Sequence, residues 1–314
     1  MCTAIEFKTR DFYFGRTLDN EFSYGEEIVI TPRNFPFRFR FTNEMKSHYA
    51  IIGMALVSDD FPLYFDGMNE KGLCVAGLNF VGNACFNNCD HDALNIAQFE
   101  FIPYILGKCA TVKEAKKQIE KINITNTPFN DKLGVAELHW LIADRYGCIT
   151  LEITKSGKFI YENPVGVLTN NPTFPEQMGR LNDYMHLSNK PPKNTFAKGL
   201  DLERYSKGMG AMGLPGDLSS TSRFVRVAFG KCNSVCEGDE KSSVAQFFHL
   251  LGTVEQIRGA NKTEDGYEIT IYTSCCNATK GIYYYKTYDG FNIKSVDMKK
   301  ENLDGINLLT FPLK

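Results

Sequence analysis

Apolar residues along the chain recur mostly in short runs whose length and composition are typical of β-strands. Residues 51–57, Ile-Ile-Gly-Met-Ala-Leu-Val, contain no charged side chain, which is typical of a strand covered on both faces. Gly and Asn turn positions separate many of the runs. The pattern predicts strands over residues 2–7, 11–16, 27–31, 37–41, 50–57, 73–80, 138–143, 148–154, 158–162, 166–169, 267–273, 281–287 and 291–296.

A second pattern, in which apolar residues stand three or four positions apart, predicts helices. Its clearest example begins with Thr111 and Glu114, which have the spacing of a capping box. One apolar stripe then follows at helical spacing. The stripe consists of Val112, Ala115, Ile119 and Ile122. Further helices are predicted over residues 93–106, 175–187 and 242–257.

The order of these elements predicts an α+β protein. Strands come first, followed by two helices, more strands, further helices and a last group of strands. Two packed sheets with helices outside each would cover the apolar strands, which gives a four-layer α/β/β/α sandwich of two mainly antiparallel sheets. No repeat or linker divides the chain, so we expect a single domain over residues 1–314. Residues 190–219, rich in Pro, Gly, Asn and Lys, predict a long surface loop.

The first twenty residues carry the candidate chemistry. If Met1 is removed, Cys2 bears a thiol and a free α-amine, whose ordinary pKa of about 8 lets the amine take the thiol proton near neutral pH. Such a residue is a nucleophile that carries its own base. A hairpin that turns at residues 8–10 would bring Arg16 and Asp19 beside Cys2. These two side chains supply a cation for the thiolate and a carboxylate for the ammonium.

Composition limits the function classes. The chain has 314 residues, 43% of them hydrophobic, and a net charge of −2, so we expect no nucleic-acid partner. The apolar runs are too short to span a membrane. Charged residues from Glu6 onward interrupt the N-terminus before the apolar core of a signal peptide could form. A cytoplasmic protein is therefore predicted.

Three other patterns are interpreted as structural. The ten cysteines are expected to be reduced in the cytoplasm, and their spacings lack the Cys-x2-Cys pairs of a metal site. Residues 208–213 match Gly-x-Gly-x-x-Gly, but no strand precedes them and no helix follows, so a dinucleotide cofactor is not predicted. His139 and His249 lie in apolar runs and are interpreted as core or pocket-edge histidines.

Several motifs together resemble the choloylglycine hydrolases, the N-terminal-nucleophile amidases that include bile salt hydrolases and penicillin V acylases. The resemblance covers nearly the whole chain, because the motifs occur in the family's order as far as residues 302–305. They are Met1-Cys2-Thr3, Phe14-Gly15-Arg16-Thr17-Leu18-Asp19, Thr-Pro-Arg-Asn-Phe at 31–35, Gly-Leu-Asn-Phe at 77–80, Leu-Thr-Asn-Asn-Pro at 168–172 and Ser-Arg-Phe at 222–224.

The resemblance implies a role for polar residues that otherwise read as turn residues or surface charges. It implies that Cys2 is the nucleophile of an amide hydrolase, that Asp19 orients its amine and that Arg16 and Arg223 favour its thiolate. The backbone N–H of Asn79 and the side-chain amide of Asn170 would hold the oxyanion. The family needs no cofactor and no metal, so none is expected.

The resemblance also implies substrate and assembly. We expect a conjugated bile salt, with penicillin V or another acyl amide, including acyl-homoserine lactones, as the alternative. Apolar loop residues would suit a steroid, and in the family the loop at 208–213 helps to wall the pocket. The apolar loop residues that would suit a steroid are Phe61, Phe65, Phe129, Met209 and Met212. A homotetramer is expected, with residues 190–219 as contacts. A non-catalytic thiol-rich protein, in which Met1 is retained, is the alternative of a different class.

Overall fold

Two antiparallel sheets form the centre of the molecule in a computed structural model that describes residues 1–313. The first sheet has six strands, whose spatial order differs from the chain order. In spatial order they are β12 (Val167–Leu168), β1 (Cys2–Lys8), β2 (Phe12–Asn20), β13 (Ile269–Asn277), β14 (Ile282–Thr287) and β15 (Gly290–Asp297). The N-terminal strand β1 is therefore an inner strand and is paired on both edges.

The second sheet has eight strands and packs face to face on the first through contacts of β5 and β6 with β1 and β2. In spatial order they are β11 (Gly157–Glu162), β10 (Gly147–Thr154), β9 (Leu138–Asp144), β6 (Cys74–Asn79), β5 (Phe61–Asn69), β4 (Ile51–Ser58), β3 (Glu27–Thr31) and β16 (Leu309–Pro312). A short parallel pair, β7 (Leu94–Ala97) and β8 (Ile122–Thr125), lies apart from both.

Helices cover the outer face of each sheet. Against the eight-stranded sheet lie α1 (Phe101–Lys108) and α2 (Val112–Lys121), while α4 (Ser220–Asn233) and α5 (Glu240–Gly252) lie on the six-stranded sheet, with α3 (Phe174–Arg180) against α4. Along β4, Ile52 packs into the core between the sheets, whereas its neighbour Ile51 packs into the core beneath α1 and α2. This arrangement explains the wholly apolar run, and the predicted four-layer sandwich is confirmed.

Most predicted strands are present within one or two residues of their expected ends, but three other predictions differ from the structure. The helix predicted over 242–257 ends at Gly252. Residues 37–41 form no strand: Phe37 and Phe39 are buried in an aromatic cluster, and Phe37 makes only an isolated bridge to Met45. The alternating apolar pattern thus predicted correctly that these residues are buried, but it did not show that they lack a neighbouring strand to pair with. The helix predicted over 93–106 begins only at Phe101, because residues 94–97 form β7 and residues 98–100 a 3-10 turn.

The sequence pattern did not reveal the short strands β7, β8 and β16, nor two longer elements, β5 and α4. Strand β5 carries Asp66 and Gly67 within its apolar run, and helix α4 contains Thr221 and Ser222, which have no strong helical preference. The capping box of α2 also differs in detail. Thr111 Oγ1 accepts from the Glu114 N–H at 3.2 Å, but the Glu114 carboxylate reaches the N–H of Ala110 rather than that of Thr111.

Candidate active site

The β1–β2 hairpin places Cys2 at one end of the six-stranded sheet. Cys2 pairs with Leu18 and Ala4 pairs with Arg16, so Arg16 lies one strand away from the thiol. Cys2 is 2% exposed, and the guanidinium of Arg16 donates to its Sγ through Nη2. The predicted juxtaposition of Cys2 with Arg16 is therefore present. A fixed cation at the sulfur favours the thiolate form of the nucleophile.

Three backbone carbonyls accept hydrogen bonds from the guanidinium of Arg16 in addition to Cys2 Sγ. Its Nη1 donates to the carbonyl of Gly77 and, at 3.3 Å, to that of Phe65, and its Nε donates to that of Thr17 at 3.1 Å. Burial acts to lower the pKa of Arg16, but the negative charges of Cys2 and Asp66 are among those that raise it above its ordinary value. The side chain is thus a permanent cation whose orientation is fixed by three carbonyls.

A buried carboxylate behind Arg16 went unrecognised in the sequence. Asp66 accepts hydrogen bonds from the hydroxyls of Tyr272 and Tyr283, both at 2.7 Å, and from Ser274 at 3.3 Å. The Ser274 hydroxyl in turn accepts from the backbone N–H of Arg16 at 3.1 Å. Burial raises the pKa of Asp66, and the charge of Arg16 opposes this rise. Asp66 therefore balances the cation at the centre of the sandwich.

Asp19 is held close to the N-terminus. The chain in this structure retains Met1, whose ammonium contacts the Glu268 carboxylate and donates to the backbone carbonyl of Asp19 at 2.7 Å. The Asp19 carboxylate accepts from Thr270 at 2.6 Å and from Thr17 at 3.1 Å. Burial raises the pKa of Asp19, while the charges of Arg223 and the N-terminal amine act to lower it. The structure thus places Asp19 beside the N-terminus, although its carboxylate is bonded to threonines.

Arg223 reaches the same site from helix α4. It is fully buried, and its Nη1 donates at 2.6 Å both to the backbone carbonyl of Cys2 and to Thr3 Oγ1. Its Nη2 donates to Asn170 Oδ1 at 2.7 Å. Arg223 therefore binds the backbone of Cys2 rather than its thiol.

Asn170 and Asn79 meet at the edge of β6. Asn170 Oδ1 accepts from the Cys2 backbone N–H at 2.9 Å and from Arg223, so Nδ2 faces the opposite way and donates to the Asn79 carbonyl at 2.7 Å. The Phe80 N–H donates to the Glu137 carbonyl, so by the alternation of an antiparallel ladder the Asn79 N–H points away from β9. Two N–H donors thus converge near Cys2.

A cavity of about 330 Å³ opens beside Cys2, Arg16 and Asp19. Most of its wall is apolar. The apolar lining comprises Leu18, Leu56, Leu63, Phe65, Phe99, Phe129, Leu133, Val135 and Leu138. The prediction that Phe65 and Phe129 face this site is confirmed, whereas Phe61 lines a separate cavity. The predictions for Met209, Met212 and the loop at 208–213 are wrong for the described residues, because both methionines line a separate cavity within residues 191–212.

One polar side chain is buried among these apolar walls. Gln98, in the 3-10 turn after β7, is 2% exposed, and its Oε1 has no hydrogen-bond partner in the described part of the chain. A buried amide oxygen without a partner costs free energy, so such groups in folded proteins are normally satisfied. Sequence reasoning missed Gln98, because glutamine in an apolar stretch gives no distinctive pattern.

The remaining cysteines are free thiols, of which Cys74, Cys109, Cys275 and Cys276 are buried. Among residues 1–313 no cluster of His, Cys, Asp or Glu could hold a metal ion. Within the same residues no helix has the length and apolar character needed to cross a bilayer. Burial raises the pKa of the thiols of Cys74, Cys275 and Cys276 well above the ordinary range.

We expect this burial to make the three thiols unreactive. In native protein titrated with Ellman's reagent at about pH 8, Cys74, Cys275 and Cys276 should stay unmodified, whereas the exposed Cys89 and Cys232 should react quickly. After denaturation, all ten thiols should react. Mass mapping of the labelled peptides checks this, and rapid native labelling of Cys275 or Cys276 would contradict it.

Comparison with known proteins adds an independent line of evidence. The model of the family "Linear amide C-N hydrolases, choloylglycine hydrolase family" matches residues 2–311. A "Bile salt hydrolase/transferase" of Lactiplantibacillus plantarum is 52% identical over 100% of this chain and 97% of its own. A protein of the same name from Clostridium perfringens is 38% identical over 99% of this chain and 96% of its own.

Solved structures agree with the architecture. A variant of conjugated bile acid hydrolase from Clostridium perfringens superposes with a TM-score of 0.92 at 36% identity, over 100% of this chain and 97% of the other. Penicillin V acylase from Agrobacterium tumefaciens superposes with a TM-score of 0.76 at 21% identity, over 96% and 88% of the two chains. The second likeness, at this identity, shows the fold alone.

Proposed function

This chain belongs to the choloylglycine hydrolase family of linear amide C–N hydrolases, and on that premise we propose that it cleaves the amide bond between a bile acid and glycine or taurine. The resemblance noted in its first twenty residues is thereby confirmed. The observation that carries the substrate proposal is the mostly apolar cavity beside Cys2 and Arg16, whose lining includes the amide residue Gln98. Relatives named as bile salt hydrolases support it.

The proposed reaction begins once Met1 has been removed. The α-amine of Cys2 takes the proton from Sγ, and the thiolate attacks the amide carbonyl. The S–C bond forms, the C–N bond breaks, and the ammonium returns its proton to the departing nitrogen of glycine or taurine. Water, deprotonated by the same amine, then cleaves the thioester and restores the thiol. Every proton is carried by Cys2 or water, so the reaction needs no cofactor.

The roles proposed for the surrounding residues follow from their contacts. The Asn79 N–H and Asn170 Nδ2 point to the same edge of β6 and would stabilise the oxyanion, a contribution of about 3–4 kcal/mol for one such donor. Asn170 Oδ1 and Asp19 would hold the ammonium, and Arg16 would stabilise the thiolate. Arg223 would fix the backbone of Cys2.

The cavity favours a hydroxylated acyl group. A steroid covers the apolar walls, and a ring hydroxyl could form a hydrogen bond with the amide of Gln98, a polar residue that lines the cavity. The phenoxyacetyl group of penicillin V has no hydroxyl to offer this amide. Gln98 therefore supports bile salts over penicillin V and over unsubstituted acyl amides.

Replacing Gln98 by leucine is expected to change the choice between bile salts that differ only in ring hydroxylation. The ratio of kcat/KM for glycocholate to that for glycolithocholate should fall about tenfold, which corresponds to one lost hydrogen bond. Leu63→Met, which alters the apolar wall without changing its polarity, should leave the ratio within about twofold. Steady-state kinetics of both variants measure this, and an unchanged ratio in Gln98→Leu would refute the role.

The proposed function itself is tested by product analysis on glycocholate, taurocholate and penicillin V. We expect release of glycine and taurine, with penicillin V the poorest substrate. Mass spectrometry of the products also detects transfer of the acyl group to an added amine, the second activity in the relatives' printed names. Faster cleavage of penicillin V than of both bile salts would overturn the substrate proposal and leave the mechanism standing.

We further propose that the enzyme acts in the cytoplasm as a homotetramer, as the family resemblance implies. Support comes from large apolar side chains exposed on the long loop that precedes α4. Phe196 is 80% exposed and Tyr205 79% exposed, and such groups commonly become buried between subunits. Native mass spectrometry measures the assembly directly.

A further inference from the structure

A buried histidine lies between the two groups proposed as oxyanion donors. We propose that His139, held by Glu152, is a positioning residue that fixes the geometry of the oxyanion hole. This inference rests on the proposed function. His139 belongs to β9, is fully buried and does not line the cavity beside Cys2, so it cannot touch substrate.

The imidazole contacts the chain next to both donors. Its ring stacks on that of Phe80, with centroids 4.2 Å apart and planes 6° apart, and Phe80 directly follows Asn79. Its Nε2 lies 2.9 Å from the carbonyl of Thr169, which directly precedes Asn170. One rigid ring therefore sets the separation between two segments that are distant in sequence.

The bonding partners define where the ring protons lie. A backbone carbonyl can only accept, so Nε2 carries a hydrogen and donates to Thr169. Nδ1 lies 3.2 Å from Glu152 Oε1, which also accepts from the backbone N–H of Phe174 at 2.9 Å. One further proton is therefore shared between Nδ1 and the carboxylate. Glu152 thus orients the ring so that Nε2 always presents its hydrogen to Thr169.

The Thr169 carbonyl matters because it belongs to the peptide group that carries Asn170. The N–H of this peptide donates to Ser220 Oγ at 2.8 Å, and its carbonyl accepts from His139. Loss of the His139 donor leaves a buried carbonyl unpaired and releases one side of the peptide plane. The peptide plane can then rotate while it keeps the hydrogen bond from its N–H to Ser220 Oγ, and this rotation moves the side-chain amide of Asn170. A misplacement of about 1 Å can cost roughly 10²-fold in rate.

The test compares His139→Phe, His139→Gln and His48→Phe. Phenylalanine keeps the stack on Phe80 but has no N–H, whereas glutamine has an amide N–H that can reach Thr169. His48 is the matched control, because its ring is also buried, also lies against a phenylalanine (Phe37) and has both nitrogens near backbone carbonyls, but it lies outside the cavity beside Cys2.

We expect His139→Phe to lower kcat roughly 10- to 100-fold with KM changed by less than about twofold, and His139→Gln to recover most of the loss. Alkylation of Cys2 by iodoacetamide forms no oxyanion, so its rate should stay within about twofold of that of the native enzyme. Kinetics are measured on whichever of glycocholate, taurocholate and penicillin V the native enzyme cleaves best.

Two results would overturn the inference. One is a kcat for His139→Phe no lower than that for His48→Phe; the other is an equal fall in turnover and in alkylation, which indicates general disorder of the site.

A crystal structure of His139→Phe, or of His139→Gln if the first fails to fold, gives a readout independent of turnover. The Thr169–Asn170 peptide should be turned relative to the native enzyme in His139→Phe and unturned in His139→Gln; an unturned peptide in His139→Phe, or a turned one in His139→Gln, refutes the role. If the native enzyme cleaves none of the three substrates, the proposed function fails, while this structural comparison still decides the role of His139.

Discussion

Cys2→Ser is expected to abolish turnover, with kcat reduced roughly 10³- to 10⁶-fold, the range seen when a catalytic nucleophile is removed. Serine keeps the size of the side chain and the N-terminal amine. Its hydroxyl, however, loses a proton far less readily than a thiol, and the cation of Arg16 cannot make up the difference. Kinetics on the best bile salt, with Cys89→Ser as an exposed control that should retain full activity, measure the effect.

Intact mass separates this outcome from a failure of processing. The active protein should lack Met1, because retained Met1 makes the nitrogen of Cys2 an amide that cannot serve as a base. In the structure that nitrogen donates to Asn170 Oδ1, where the free amine would also lie. Activity within tenfold of the native enzyme in Cys2→Ser, or full activity in a sample that retains Met1, would contradict the proposed mechanism and favour a non-catalytic role for this thiol.

Arg223→Met is expected to cost about 3–5 kcal/mol of unfolding free energy, the range for breaking a buried charged network. Removal of the guanidinium leaves the Cys2 carbonyl without its donor and takes from Asn170 Oδ1 one of its two donors. It also removes one of the two cations that lower the pKa of Asp19, the other being the N-terminal amine. Arg226→Met, one helical turn later, should cost only about 1–2 kcal/mol, because that half-exposed side chain bonds only to backbone carbonyls that water can reach. Urea denaturation measures both.

The unfolding free energy that Arg223→Met loses should depend on pH, because Asp19 titrates. Burial raises the pKa of Asp19, so the folded state binds its proton more tightly than the unfolded state and stability falls as pH rises from the ordinary value towards the raised one. Arg223 opposes this rise. Arg223→Met should therefore lose more stability at pH 7 than at pH 4, relative to the native enzyme. Equal costs for Arg223→Met and Arg226→Met, or no dependence on pH, would contradict this account.

Local sequence was sufficient to predict a contact when both residues belong to one hairpin. Cys2, Arg16 and Asp19 lie within twenty residues, and a single turn brings them together, at residues 9–11 rather than at the predicted 8–10. The capped helix from Val112 was likewise visible, because its cap and stripe are local features. The segment at 37–41 was predicted wrongly because the pattern of buried residues does not reveal whether a neighbouring strand exists.

The remaining site residues needed the resemblance to a family. Nothing local distinguishes Asn170 from a turn residue or Arg223 from a surface charge, since helix α4 and the end of β12 meet β1 only in the folded sandwich. The resemblance predicted both as site residues, and the structure places both in contact with Cys2. The resemblance also placed residues 208–213 at the pocket, which is wrong for this chain.

By itself, the sequence indicated the apolar strands and the proximity of Cys2 to Arg16, because strand composition and hairpin pairing are short-range properties. The resemblance to the family supplied the proposed role of Cys2 as nucleophile. Only the tertiary structure decided which polar groups are buried and which residues, distant in sequence, surround them. It placed Asp66 behind Arg16, put Gln98 in the lining of the mostly apolar cavity and set His139 between the segments that carry Asn79 and Asn170. The role of a buried polar group depends on partners from other strands, and those partners are set by sheet order and packing.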